Sequence, residues 1–210
     1  MMRSFIIFLL SLTACAQVVT PSPAPRILTI FATAAAKPWL SDVYTCAQGQ
    51  PFVIADVNDP NVADITLRVG EPASTPPSSY QIGTDDLMII TNRESPVQNL
   101  TLEQARALFA DPEQAGVQIW IYDSEADIQQ IFINEVMQST SITSMAHLAT
   151  NAQQMSDTLN NNKNAVGFLP RRWKAGTMRD VFTLPGVPVL AITKTELADA
   201  TKQVLACLQK

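Results

Sequence analysis

Residues 88–112 read MIITNRESPVQNLTLEQARALFADP, and this stretch decides how the chain is built. Its opening, together with Asp86 and Leu87, is a short apolar run bounded by turn formers. That pattern predicts a buried strand over 86–92. After the connection, Thr101 is followed three residues later by Gln104, a capping box that satisfies two orphan N–H groups and starts a helix. Leu102, Ala105, Leu108 and Phe109 then recur at helical spacing and give that helix one apolar face. A buried strand feeding a capped helix is one unit of an α/β layer.

The same alternation continues on both sides. Short apolar runs predict strands at 26–32 (RILTIFA), 51–55 (PFVIA), 63–69 (ADITLRV), 117–122 (VQIWIY), 165–169 (AVGFL) and 187–193 (VPVLAIT). Pro38 suits the first turn of a helix whose apolar face is Trp39, Leu40 and Val43 and which Gly49 ends. Residues 58–61 are a turn and 71–79, with three prolines, a loop. Ser124 is a good N-cap for a helix burying Ile128, Ile131, Phe132 and Val136. Helical stretches are predicted at 144–149 and 151–159, stopped by three asparagines. Thr193 and Glu196 suit the cap of a last helix with Leu197, Ala200, Val204, Leu205 and Leu208 inward. Strands alternating with helices predict α/β layers with mixed, largely parallel sheets.

The N-terminus has a different character. Arg3 supplies a positive charge, 5–12 is apolar but for Ser11, and Leu12-Thr13-Ala14-Cys15 follows. This is the shape of a secretory signal. The apolar run is too short to cross a bilayer as a helix, which takes about 20 residues. Small residues before a cysteine resemble a bacterial lipoprotein signal, which implies cleavage after 1–14 and lipidation of Cys15. An ordinary signal cut near Ala14 or Ala16 is the alternative. Residues 15–25 are Pro-rich and extended, a tether between lipid and domain. The expected location is extracytoplasmic, anchored to a membrane at the cell surface or in the periplasm.

The remainder, 26–210, is long enough for one core or two lobes sharing a chain. The chain is 47% hydrophobic and 16% charged, with a net charge of −5. Mild acidity argues against a nucleic-acid partner, which calls for a basic face. Lipidation of Cys15 leaves Cys46 and Cys207 of the three cysteines, a disulfide candidate in an oxidising compartment or else two buried thiols.

Several segments, in order, carry a resemblance to one family. The strand-Thr-helix at 28–40, ADITLR at 63–68 and the whole of 88–112 resemble the phosphate-type group of type 2 periplasmic solute-binding proteins. Within 97–110, VQNLT through LFA resembles the family's crossover strand, Asn-Leu-Thr helix cap and following helix. Residues 117–124 resemble its Trp-bearing strand and Ser-Gly-Thr turn, and 165–168 its Ala-Ile-Gly-Tyr strand. The resemblance implies two α/β lobes around a ligand cleft, lobe one about 26–91 plus 186–210 and lobe two about 92–185. It further implies a monomer that binds a small polar or anionic solute for an ABC permease, without enzymatic activity. It also puts both cysteine-bearing helices in lobe one, where a Cys46–Cys207 bridge is expected.

Ligands in such folds sit at strand ends, where helix starts offer free N–H groups. The candidate ligand-binding residues are therefore Thr33 with Ala34 after the first strand, Arg68 at the end of the third, Ser124, and Arg171. An ordinary helix-entry loop accounts equally well for Thr33, and a surface ion pair for Arg68. The family's Ser-Gly-Thr turn is Ser124-Glu125-Ala126 here. Glu125 and Asp127 place carboxylates in the helix's first turn, where they complement its dipole and repel a divalent anion. Arg171-Arg172-Trp173-Lys174 is a basic patch that lines the cleft, meets an anionic lipid or permease, or is a solvated loop.

Nothing in the sequence assembles a catalytic or metal site. His147 is the sole histidine and has no cysteine or histidine near it in sequence. Residues 56–59 lack the glycine and glutamate that a calcium loop needs. Asn99-Leu100-Thr101 is a glycosylation sequon better explained by helix capping. No cofactor is expected. The altered Ser124 turn and short length also suit a second role, a surface-tethered sensor or scaffold whose cleft is closed by its own side chains.

Overall fold

The computed structural model of the protein describes residues 25–74, 76, 78–194 and 197–210. The signal sequence, Cys15, most of the tether and Glu196 lie outside the described residues. Among the described residues eight strands form one mixed sheet: β1 (Arg26–Ala32), β2 (Phe52–Asp56), β3 (Ile65–Val69), β4 (Ser79–Thr91), β5 (Gln118–Ile121), β6 (His147–Leu148), β7 (Ala165–Pro170) and β8 (Arg179–Thr193). Their spatial order is β2-β1-β3-β8-β4-β7-β5-β6. β1 runs parallel to β2 and β3, and β5 parallel to β6 and β7. Between these two parallel sets, β4 and β8 pair antiparallel along their whole length.

These two long strands tie the lobes together. β4 and β8 slip register between Asp85 and Leu87, and beyond that point β4 pairs with β7 of lobe two. The passage between lobes therefore falls in mid-strand. The apolar runs mark only the buried halves of β4 and β8. Ser79–Asp85 and Arg179–Gly186 are more polar, and their ladder pairing extends both strands beyond the predicted ends.

Among the described residues five α-helices cover the sheet: α1 (Leu40–Ala47), α2 (Leu102–Ala110), α3 (Asp127–Ile131), α4 (Ala152–Asn161) and α5 (Asp199–Leu208). α2 opens with the predicted capping box, Gln104 N–H donating to Thr101 Oγ1 at 3.2 Å and Thr101 N–H to Gln104 Oε1 at 2.8 Å. α3 continues as a π-helical stretch over Phe132–Met137. Phe132 stacks on Phe168 with ring centroids 4.0 Å apart, and Phe109 tilts against Phe132 at 4.6 Å. All three rings are fully buried, each contributing about 1.5–3 kcal/mol by burial.

In lobe one α1 and α5 are clamped by the Cys46–Cys207 disulfide, with Cα atoms 5.8 Å apart. The bridge expected from the resemblance is present.

Three local readings are corrected. α3 begins at Asp127 after Ala126, so Ser124 is not its N-cap. Asp123 Oδ1 accepts from Glu125 N–H at 2.9 Å and holds Ser124 in a side-chain-closed turn instead. Residues 144–149 are a turn and the short strand β6 rather than a helix, because pairing with β5 outweighs local propensity. α5 begins at Asp199 with Ala198 as N-cap, well after Thr193, which stays in β8.

Candidate functional site

The end of β1 turns directly into the segment before α1. Thr33 N–H donates to Leu67 O, which fixes this turn against β3. Ala36 and Lys37 N–H return to Thr33 O, so the chain doubles back and Thr33 Oγ1 stands between the lobes. It donates to the Oδ2 carboxylate oxygen of Asp127, on lobe two, at 2.6 Å. The same oxygen accepts from Val69 N–H, at the end of β3, at 3.0 Å. Asp127 Oδ1 accepts from Ile128 N–H at 2.8 Å.

Asp127 is only 6% exposed, and no basic side chain forms an ion pair with it among the described residues. Its charge is held by one hydroxyl and two amides. That is the donor set by which a small oxyanion is gripped, and the charge assistance shortens the bonds. Burial, and secondly the negative charge of Asp127, push the Tyr122 phenol well above its usual range. Tyr122 therefore remains a neutral donor, to Phe168 O at 3.1 Å.

Gly70 adds a close backbone approach beside this contact. A Cβ there would meet Ile131 Cδ1 at 2.5 Å, and its φ of +75° is one that glycine adopts freely. Lobe one thus comes within packing distance of α3. Beside the carboxylate lies a cavity of about 50 Å³ lined by Ala34, Ala35, Tyr122, Asp123, Asp127 and Asn151, among others. A larger groove of about 580 Å³, lined by Glu71, Ala73, Gln130, Ile131, Asn134 and Pro188 among others, adjoins the Gly70–Ile131 approach. Pockets that take small molecules measure about 300–1,000 Å³, so the first is too small for one and the second is not. The N–H groups of Ala34 and Ala35 make no hydrogen bond to the described residues, although Ala35 is buried.

A second set of contacts spans the lobes through the basic patch. Arg172 Nη1 donates to Asp42 on α1 at 2.6 Å, and its guanidinium lies 3.6 Å over the Trp39 ring. The Trp173 indole N–H is shared between Ala34 O and Ala35 O, each at 3.1 Å. Arg171 Nε donates to Asp86 on β4 at 2.9 Å, and Lys174 pairs with Asp180. Arg171 and Arg172 stay exposed to solvent while their side chains pair with Asp86 and Asp42. The patch is a strap running from lobe two onto lobe one.

The pKa values of the neighbouring carboxylates at the crossover are shifted in opposite directions. Asp86 is held below the usual range, chiefly by Gly186 N–H and also by Arg171. Burial raises Asp85, whose Oδ2 has no partner among the described residues.

Thr33 and Ala34 thus lie together at the contact between the lobes. Arg68 does not take part through its side chain: its Nε turns back to Gly70 O at 3.1 Å. Ser124 is exposed and lines an open groove on lobe two with Gln138 and Thr140. Arg171 belongs to the strap. Asp127, Val69 and Trp173 were missed as site residues. A carboxylate in a first turn looks the same in sequence whether it serves a dipole or reaches another lobe. Among the described residues no group of three or more His, Cys, Asp or Glu could hold a metal. None of the described helices is long and apolar enough to cross a membrane.

No family model and no curated protein matches the chain in sequence. Solved structures do match in fold. An ABC-type phosphate transport receptor from Vibrio cholerae aligns at a TM-score of 0.63 and 18% identity, over 87% of this chain and 93% of its own. A putative phosphate ABC transporter substrate-binding protein with bound phosphate from Clostridium perfringens aligns at 0.72 and 13%, over the same shares. The regulatory domain of HypT from Salmonella typhimurium aligns at 0.63 and 10%, over 90% and 96%. The fold is therefore the two-lobed α/β architecture of type 2 periplasmic binding proteins, which receptors and regulatory domains share.

Proposed function

We propose that this chain is an extracytoplasmic, lipid-anchored protein of the solute-binding fold that works as a membrane-tethered sensor or scaffold with a self-closed cleft. The observation that carries this reading is the Asp127 carboxylate, which bridges Thr33 and Val69 where a solute would join the lobes. An anion entering from solution meets a buried negative charge and donors already engaged. The Leu12-to-Cys15 motif and Pro-rich tether support export and anchoring. No catalytic role is proposed.

A second reading keeps transport: capture of a small polar or anionic solute for an ABC permease. The fold likeness to two phosphate-transport proteins favours it. It requires Asp127 to leave the cleft. Native mass spectrometry of protein purified without added ligand, with phosphate calorimetry, separates the two. The self-closed reading expects no retained solute and no phosphate binding. A retained small anion, or phosphate binding to the wild type, sinks it in favour of transport.

A further inference from the structure

We propose that Asp127 is a tethered surrogate for a small oxyanion, so that removing its side chain turns the closed cleft into an oxyanion-binding site. The inference rests on the self-closed reading above and adds what the cleft would hold. The carboxylate is itself a planar oxyanion seated on three donors from both lobes, Thr33 Oγ1, Val69 N–H and Ile128 N–H. Its side chain adjoins the 50 Å³ cavity, also lined by Ala34 and Ala35, whose N–H groups have no partner among the described residues. Deleting it opens the carboxylate's place to that cavity and frees the three donors that now hold it.

Charge narrows the class. Asp123 lines the same cavity and no basic side chain does, so a singly charged oxyanion is favoured over a divalent one. The strap helps keep the site formed when the carboxylate is gone. Arg172 on Asp42 and Trp39, and Trp173 on the Ala34 and Ala35 carbonyls, join the lobes without Asp127.

The experiment is calorimetry with inorganic phosphate at pH 5.5, where the monoanion dominates, on the full mature chain and three variants. Asp127→Gly and Asp127→Ser should bind at least about a hundredfold more tightly than wild type, the effect of gaining two charge-assisted hydrogen bonds or so. Asp127→Asn keeps the position filled by a group of the same shape and should show no gain. Folded Gly and Ser variants without a gain overturn the surrogate role while leaving the self-closed reading intact. An equal gain in Asp127→Asn overturns it too, because removing charge alone would then suffice. Phosphate binding to the wild type overturns the self-closed reading itself. Should neither small variant fold in buffer, refolding both with and without inorganic phosphate decides. Recovery of folded protein that depends on phosphate supports the surrogate, whereas no recovery at saturating phosphate refutes it.

Discussion

Thr33 and Asp127 stand 94 residues apart in the chain, yet the hydroxyl of one donates to the carboxylate of the other at 2.6 Å. Each belongs to a different lobe, and the bond is made where β1 ends and α3 begins. With Val69 N–H on the same oxygen, it ties the two lobes through side chain and backbone of the polypeptide itself.

Thr33→Val keeps the side-chain shape and removes the donor. A hydrogen bond to a buried charge is worth about 1.5–3 kcal/mol, and that loss is expected in urea unfolding. A variant as stable as wild type would show that the contact does not form in solution.

Trp173→Phe retains an aromatic ring in the strap but deletes the N–H shared by the Ala34 and Ala35 carbonyls. The expected cost is about 0.5–1.5 kcal/mol. Arg172→Ala should cost little in high salt, because its ion pair with Asp42 is half exposed and screened. Equal penalties at low and high salt would contradict an ionic share in the strap.

The Cys46–Cys207 bridge closes a loop of 161 residues. Chain-entropy reasoning assigns such a link roughly 5 kcal/mol. Replacing both cysteines by serine should lower stability by a large part of that, and intact-mass analysis should find the native protein two hydrogens lighter than its reduced form. Two thiols titrating in the native protein would refute the bridge.

The adjacent aspartates at the crossover respond oppositely to acid. Burial raises Asp85 above 3.8, so its charged form costs stability at neutral pH and the cost fades as pH falls through the raised pKa. Asp85→Asn should therefore raise the unfolding temperature at pH 7, with a gap that closes on acidification. Asp86 is lowered, so its contribution is complete above 3.8 and is lost as pH falls through the depressed pKa. Asp86→Asn should destabilise at pH 7 and converge with wild type in strong acid. Gaps that widen on acidification would reverse both assignments.

Cys15→Ser should move the protein from the membrane fraction to the soluble one in cells of the native type. The motive is the cysteine after Leu12-Thr13-Ala14 and before a Pro-rich segment. Persistent membrane association of the variant, with no acyl mass on the wild type, would rule out lipid anchoring.

Local physics was legible wherever the pattern itself forces the structure. Apolar runs bounded by turn residues located the buried strands, and Thr101 with Gln104 located the start of α2, because capping depends only on residues three apart. Ser124 was misplaced because Asp123 competes for the same turn, a contest between neighbours that residue types alone do not rank. The polar halves of β4 and β8 were invisible for another reason: ladder pairing with a distant strand, not periodicity, extends them.

By itself the sequence determined the α/β alternation, the strand-to-helix turn at Thr33 and the two cysteines available to pair, since each follows from short-range pattern or composition. Only the tertiary structure decided that the Thr33 hydroxyl meets the Asp127 carboxylate, and that Arg172 and Trp173 reach across to lobe one. Those contacts join residues about 94 to 139 positions apart. Their existence depends on how two lobes are brought together by the paired crossover strands, a geometry that no local spacing encodes.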